Sequence, residues 1–403
     1  SLGKIIFSEF FPSNKFFRNR MRFPLRSALW TKDGMNLDNA HLYSNLGWDF
    51  LFEKRSDKLY DKTKKTVTGY KWSGGNSYNL MKKSIEQICQ IIKNFVLERK
   101  GNPQNIRIVT FFPSSMASAH QRRLEQVWKN EIQGIIGIED VENKFTWITE
   151  SIAPVKFIEG LDAANFRGDG TIVSVDIGGG STDIAIINNQ EIWGTTSFQF
   201  AGDAIFGDYF AQASTADRNH FAMKYYNIFK PALSQVLAKD ESRERDQMLN
   251  GKSEDLHSFL FSVEQLNYGN KLKEDTGFAF TLLYFYSAIL YHICEIIRKS
   301  QEIKDLTAIT IPKSISFSGN GSKLLSLISN LGDADLQKFT NNFFENYFNK
   351  KDVVIELKTV KNFIDGTPDE KKKRTPKTIT ALGGISFLKS INEINPTNYY
   401  ADN

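Results

Sequence analysis

Three glycines in a row, Gly178 to Gly180, stand between the buried-strand pattern TIVSVDI (Thr171 to Ile177) and a second strand pattern, DIAII (Asp183 to Ile187). A tight hairpin needs fewer glycines than this. Without side chains, the backbone N–H groups of such a turn can approach and wrap phosphate oxygens. The strand delivers Asp176 to the turn, and Ser181 and Asp183 follow it. A buried carboxylate is costly without a partner. One or two carboxylates beside phosphate oxygens suit a hydrated Mg²⁺. The plainer alternative is a hairpin whose glycines serve geometry alone.

Around this segment the chain alternates helices and strands. Apolar residues at Ile85, Ile88, Ile91, Ile92, Phe95 and Val96 mark one helix face over Leu80 to Val96, ended by Gly101 and Pro103. Strand patterns follow at Ile106 to Phe112 and Phe145 to Thr149, with helices around Ser118 to Lys129 and Pro154 to Asp162. Ile192 to Phe198 pairs with the second strand as a hairpin through Asn188, Asn189 and Gln190. After Asp203 the pattern is helical until the strand Ser314 to Ser318; a strand at Val353 to Leu357 and a helix from Thr378 to Leu388 close it. This order predicts an α/β protein with a mixed sheet and a helical insertion. A loop is expected at Ser73 to Asn76.

At 403 residues the chain suits two lobes rather than one core. The expected division is 1–165 and 166–388, with a helical subdomain near 204–300 and a tail over 389–403. Hydrophobic residues at 41% and charged residues at 24% exclude a disordered or coiled-coil chain. A formal charge of +5 is too weak a basic balance for nucleic-acid binding. The dense run Lys371 to Arg374 reads as a solvated loop or a site for an acidic partner. Cys89 and Cys294 lie in apolar helical patterns, which predicts buried thiols in a reducing, cytoplasmic compartment. The five histidines have no metal-ligand spacing. Gly277 to Cys294 has about the length and apolarity of a membrane span. Its Thr281, Ser287, His292 and tyrosines favour a buried core helix. No signal-peptide pattern opens the chain, and Ser1 suggests a processed or shortened N-terminus.

VSVDIGGGSTDIAII (Val173 to Ile187) resembles the second phosphate loop of the superfamily of actin, the seventy-kilodalton heat-shock chaperones and sugar kinases. Five further segments resemble the chaperone branch. In VTFFPSSMASAHQRRLEQVW, Pro113, Gln121 and Arg122 match a strand ending in Pro and a helix opened by a Gln-Arg pair. WITESIAPVKFIEGLD puts Glu150 where the chaperones orient the attacking water, with Ser151 in place of their Pro. FAGDAIFGDYF places Gly202 and Asp203 in a Gly-Gly-Asp segment near ribose and phosphates, with Ala201 for the first Gly. ISFSGNGSKLLSLI matches the adenosine motif at Gly319, Gly321, Ser322 and Lys323, with Asn320 replacing a glycine. On the residues alone, Glu150 could equally start a helix and Asp203 cap one. TPKTITALGGISFL resembles the closing helix, where Gly383 and Gly384 serve close packing. The first phosphate-loop hairpin of Asp-x-Gly type finds no match; SLGK at Ser1 to Lys4 has Ser for Asp.

The resemblance implies a two-lobed actin-like ATPase fold with duplicated, ribonuclease H-like mixed sheets. It implies ATP or ADP with Mg²⁺ as cofactors, Asp176 holding Mg²⁺ through water with Asp183 near it, and Gly178, Gly179, Gly180 and Ser181 around the phosphates. The two glycine turns are expected to face each other across a cleft. The expected function is a slow ATPase or nucleotide-gated switch with an unnamed protein partner. An actin-like filament or scaffold protein, a small-molecule kinase and an inactive interaction module are the alternatives. Neither a nucleic-acid partner nor a membrane span is expected.

Overall fold

The structure is a computed structural model that describes residues 28–31, 41–43, 65–67, 77–114, 116–161, 169–205, 224–225, 227–228, 272–302, 309–328, 334–359 and 376–391. The Ser73 to Asn76 loop, the Lys371 to Arg374 run, the Ser1 to Lys4 segment, the boundary at 165/166 and most of the expected helical subdomain lie outside these residues.

The described residues fall into two units. In the first, β1 (Ala28–Thr31), β2 (His41–Tyr43) and β3 (Lys65–Val67) form an antiparallel sheet in the order β2-β1-β3. Helix α1 (Ser77–Glu98) buries Met81, Ile85 and Cys89, so of the expected face only Ile85 is buried; Ile91, Ile92 and Val96 are partly buried, and Ile88 and Phe95 are exposed. Strand β4 (Ile108–Phe112) follows a short 3-10 turn. Helix α2 (Ser118–Glu131) runs into a π turn at Ile132–Ile136, closed by Gly137 in the left-handed region (φ 88°). Lys93 Nζ donates to the Ile135 carbonyl at 2.7 Å, tying α1 to that turn. After α3 (Val141–Lys144), β5 (Phe145–Thr149) pairs with β4 as a two-stranded sheet. The division between the units falls after Ile108 in β4 and after Trp147 in β5.

The second unit holds α4 (Ile152–Leu161), β6 (Thr171–Ile177), β7 (Thr182–Asn188), β8 (Glu191–Phe198) and the short α5 (Gly202–Ile205). It continues with α6 (Thr276–Glu302), β9 (Ser314–Ser318), a 3-10 turn at Asn320–Leu327, α7 (Ala334–Phe348), β10 (Glu356–Thr359) and α8 (Pro376–Ile391). Its five strands form a mixed sheet in the order β10-β9-β6-β7-β8, with β10, β9 and β6 parallel and β7 and β8 antiparallel to their neighbours. Every residue of β9, and every residue of β6 but Asp176, is buried. That burial explains why these two segments read as near-continuous apolar or small-residue runs. Asn189 and Gln190 turn β7 into β8 with φ of 50° and 72°, the two left-handed residues that a two-residue hairpin uses.

Two expectations shift. The last strand begins at Glu356 instead of Val353, and Val354 is 78% exposed. Helix α7 has no counterpart in the sequence reading, because asparagines interrupt its apolar period. The apolar segment Gly277 to Cys294 lies inside α6, which is long and apolar enough to cross a membrane by composition. Within this unit α6 buries Phe278, Leu282, Phe285, Tyr286, Ile289 and Ile293 and exposes Phe280, Tyr284 and Tyr291.

Candidate functional site

Strand pairing sets the site. Asp176 of β6 is the direct partner of Asp183 of β7 and of Ser318 of β9, and Asp183 is the partner of Ser197 of β8. Direct partners on adjacent strands point to one face. Ser318, Asp176, Asp183 and Ser197 therefore form one polar row across four strands at one end of the sheet. The same face carries Ile172, Ala185 and Ile187 further along, packed with Ile379 of α8 and with Val155 and Ile158 of α4. Asp176 thus points towards the layer formed by α4 and α8.

Two carboxylates placed opposite each other on neighbouring strands repel. The fold treats them differently. Asp183 is 2% exposed and accepts hydrogen bonds from the Ser181 hydroxyl (3.1 Å) and the Ser114 amide (3.3 Å). Burial pushes its carboxyl up to about 6, and the charge of Glu150 adds to this; the hydrogen bonds from Ser197, Ser114 and Ser181 oppose it. Asp176 is only partly buried, and its Oδ2 accepts from Thr380 Oγ1 at 3.1 Å.

Glu150 follows β5 directly, its amide donating to the Phe112 carbonyl at 2.8 Å. Ser114 and Ser151 share a hydroxyl hydrogen bond of 3.1 Å, and Ser151 donates onward to Thr149 at 3.0 Å. The hydroxyl chain joins the ends of β4 and β5 beside Asp183.

The first glycine turn is closed by the Gly178 amide on the Ser181 carbonyl (2.8 Å), and the Gly202 amide donates to the Gly178 carbonyl at 3.2 Å. Gly178, Gly179 and Gly180 are partly exposed, so their backbone is accessible. In the second turn Gly319 has φ 79°, and a Cβ there would collide with Asp176 Oδ1 and the Ile177 carbonyl. A Cβ on Gly321 would collide with the Gly178 carbonyl. The expectation that the two turns face each other across a cleft is corrected by these contacts. They abut, because β6 and β9 are adjacent parallel strands and both turns leave the same edge.

The structure therefore brings Asp176, Asp183, Gly178 to Ser181, Gly202 and Gly319 to Ser322 together, with Glu150 close enough to bear on Asp183. Asn320 and Lys323 are partly buried in the 3-10 turn, whereas Gly319, Gly321 and Ser322 are buried. The Asp203 backbone lies in α5; its side chain falls outside the described residues. Gly383 and Gly384 of α8 do serve close packing: a Cβ on Gly383 would collide with the Ala153 carbonyl, and one on Gly384 would come within 2.6 Å of Phe111. Sequence reasoning missed Ser114, Ser197, Ser318 and Thr380. Ser197 and Ser318 follow from strand register; Ser114 lies in the turn after β4, and Thr380 had no signal beyond lying one turn before the glycine pair.

The donor set fits a hydrated divalent cation of the Mg²⁺ kind. One partly exposed carboxylate stands beside a bare backbone turn, with a second carboxylate on the next strand. Among the described residues no group of three or more His, Cys, Asp or Glu forms an all-protein cage.

No protein-family model matches the chain, and no curated protein matches it. Among solved structures, MreB5 of Spiroplasma citri bound to ADP is similar at TM-score 0.40 and 14% identity, over 92% of this chain and 91% of that one. The ethanolamine utilization protein EutJ from Carboxydothermus hydrogenoformans is similar at TM-score 0.36 and 16% identity, over 80% and 79%. PilM–PilN, a type IV pilus biogenesis complex, gives TM-score 0.34 and 11% identity, over 66% and 58%. Similarity at this level assigns the chain to no family.

Proposed function

We propose that this chain binds ATP or ADP with Mg²⁺ at the end of the five-stranded sheet, within a two-lobed actin-like fold. In this reading it works as a slow ATPase or a nucleotide-gated switch for a protein partner. One observation carries it: two carboxylates on adjacent strands lie beside two abutting glycine turns, one of which leaves three glycines accessible.

The residues take separate parts. Gly179, Gly180 and Ser181 offer backbone N–H groups to the phosphates, and the Gly178 amide closes the loop on the Ser181 carbonyl. Asp176, the more exposed carboxylate, holds Mg²⁺ through water. Asp183, buried and hydrogen-bonded, keeps Ser181 and the Ser114 amide in place beside it. Gly202 supports the loop through its hydrogen bond to the Gly178 carbonyl. In the second turn Gly319, Gly321 and Ser322 permit close approach to β6, which leaves Asn320 and Lys323 as the groups that reach the adenosine. Glu150 orients the attacking water. Bound Mg²⁺ supplies neutralisation of the phosphate charge. The two buried thiols, Cys89 and Cys294, have their ionisation suppressed by burial and suit a reducing, cytoplasmic setting.

Calorimetric titration with ADP and ATP, with and without Mg²⁺, tests the reading. Mg²⁺ is expected to tighten nucleotide binding, and Asp176→Asn to abolish that gain, weakening Mg-nucleotide binding about tenfold or more. Nucleotide binding that ignores both Mg²⁺ and Asp176→Asn would place the site elsewhere.

A further inference from the structure

Helix α8 is pinned to the unit at several points. Ile379 is buried in the core formed by α4, β6 and β7. Gly383 lies against the Ala153 carbonyl, and Gly384 lies against Phe111 and Val109 of β4. These contacts leave the helix little freedom to slide or turn, since packed backbone has no side chain that can give. Thr380 follows Ile379 directly. A helical threonine can always turn its hydroxyl back to a carbonyl one turn earlier. Here it donates to Asp176 Oδ2 instead.

We propose that Thr380 is a positioning residue for Asp176: the α8 hydroxyl, held by glycine packing behind it, fixes the orientation of the carboxylate at the end of β6 for a Mg²⁺-bound phosphate. The carboxylate of an aspartate otherwise swings about a broad terminal torsion. Thr380 holds Oδ2 and so restricts that swing, while Oδ1 occupies the space that a Cβ on residue 319 would fill. The glycine turn and the threonine act together, one leaving room and the other supplying a donor.

This inference rests on the nucleotide reading of the site, and one experiment separates the two. The Mg²⁺ concentration needed to tighten ADP binding is measured by calorimetry for the wild-type chain, Asp176→Asn, Thr380→Val and Thr380→Ser. Thr380→Val keeps the shape and removes the donor; it is expected to raise the required Mg²⁺ about tenfold. ADP binding without Mg²⁺ is expected to stay unchanged. Thr380→Ser, which restores a hydroxyl, is expected to return most of the loss, with all unfolding midpoints close to wild type.

An effect of Asp176→Asn without any effect of Thr380→Val would overturn the positioning role and leave the nucleotide reading standing. Equal loss in Thr380→Val and Thr380→Ser would also overturn it, since packing rather than the hydroxyl would then be responsible. Indifference of the wild type to Mg²⁺, or of Mg²⁺ dependence to Asp176→Asn, would overturn both.

Discussion

On one face of the five-stranded sheet Val173, Val175, Ile315 and Phe317 are buried, and the ring of Tyr286 of α6 lies 5.7 Å from that of Phe317. On the other, Ser174, Asp176, Ser316 and Ser318 form a row of small and polar residues; Thr380 of α8 reaches Asp176, while the glycine pair of α8 packs on α4 and β4. The first arrangement excludes water with bulk. The second keeps side chains small, and its glycines let α8 close on α4 and β4, where a short threonine side chain can reach a carboxylate. A sheet needs apolar burial on both faces for stability, but a site needs polar groups within hydrogen-bond reach. The small-residue face supplies the latter, and the ring-packed face carries more of the former.

The contrast breaks most readily at its bulky side. Phe317 is 1% exposed, and Phe317→Ala would leave a cavity among rings that cannot collapse fully. A loss of about 4 kcal/mol is expected by denaturant unfolding. A loss below about 1 kcal/mol would show that this face is not the main apolar store.

At the glycine side the sign is reversed, because adding atoms should hurt. Gly383→Ala would drive a methyl into the Ala153 backbone carbonyl, which cannot rotate away. Over-packing against backbone costs about 3 kcal/mol, partly offset by the better helix propensity of alanine, about 1 kcal/mol. The net expectation is a loss of about 2 kcal/mol in the same assay. A stabilised Gly383→Ala protein would mean that α8 stands off from α4, and the close-packing half of the comparison would fall.

Part of this contrast can be read from sequence. Strands Phe145–Thr149, Thr171–Ile177 and Ser314–Ser318 are found at the expected bounds, because each is a short apolar run flanked by turn residues. The opposition of Asp176 and Asp183 is also legible, since both are equally far from the middle of the Gly179–Gly180 turn and a hairpin must pair them. The contact between the two glycine turns is not. It depends on the parallel pairing of β6 with β9, a long-range choice that no local pattern encodes. Thr380 is invisible for the same reason: its hydroxyl acquires a role only after α8 has docked. Helix ends run past the expected ones, from Leu80 back to Ser77 and from Cys294 on to Glu302, because end turns carry little periodic signal.

The finest test concerns how the polar face tolerates its own charge. Asp183 titrates at about 6 in the fold, against a model-peptide value of 3.8, because burial and then Glu150 disfavour its charged form. The folded state therefore holds a proton between these values that the unfolded chain has released. By linkage the protonated carboxyl contributes stability that is fully present below about 3.8 and is lost as pH rises through about 6. Ionised Asp183 thus costs the native state on the order of 2 kcal/mol above that window. Asp183→Asn cannot ionise, so the difference in unfolding free energy between variant and wild type should move in the variant's favour by roughly that amount from pH 4 to pH 7. Glu150→Gln, which removes the second cause, should shrink the wild-type slope without abolishing it. Parallel pH profiles for wild type and Asp183→Asn would mean that the row is already compensated, and that the polar face carries no more electrostatic strain than the apolar one.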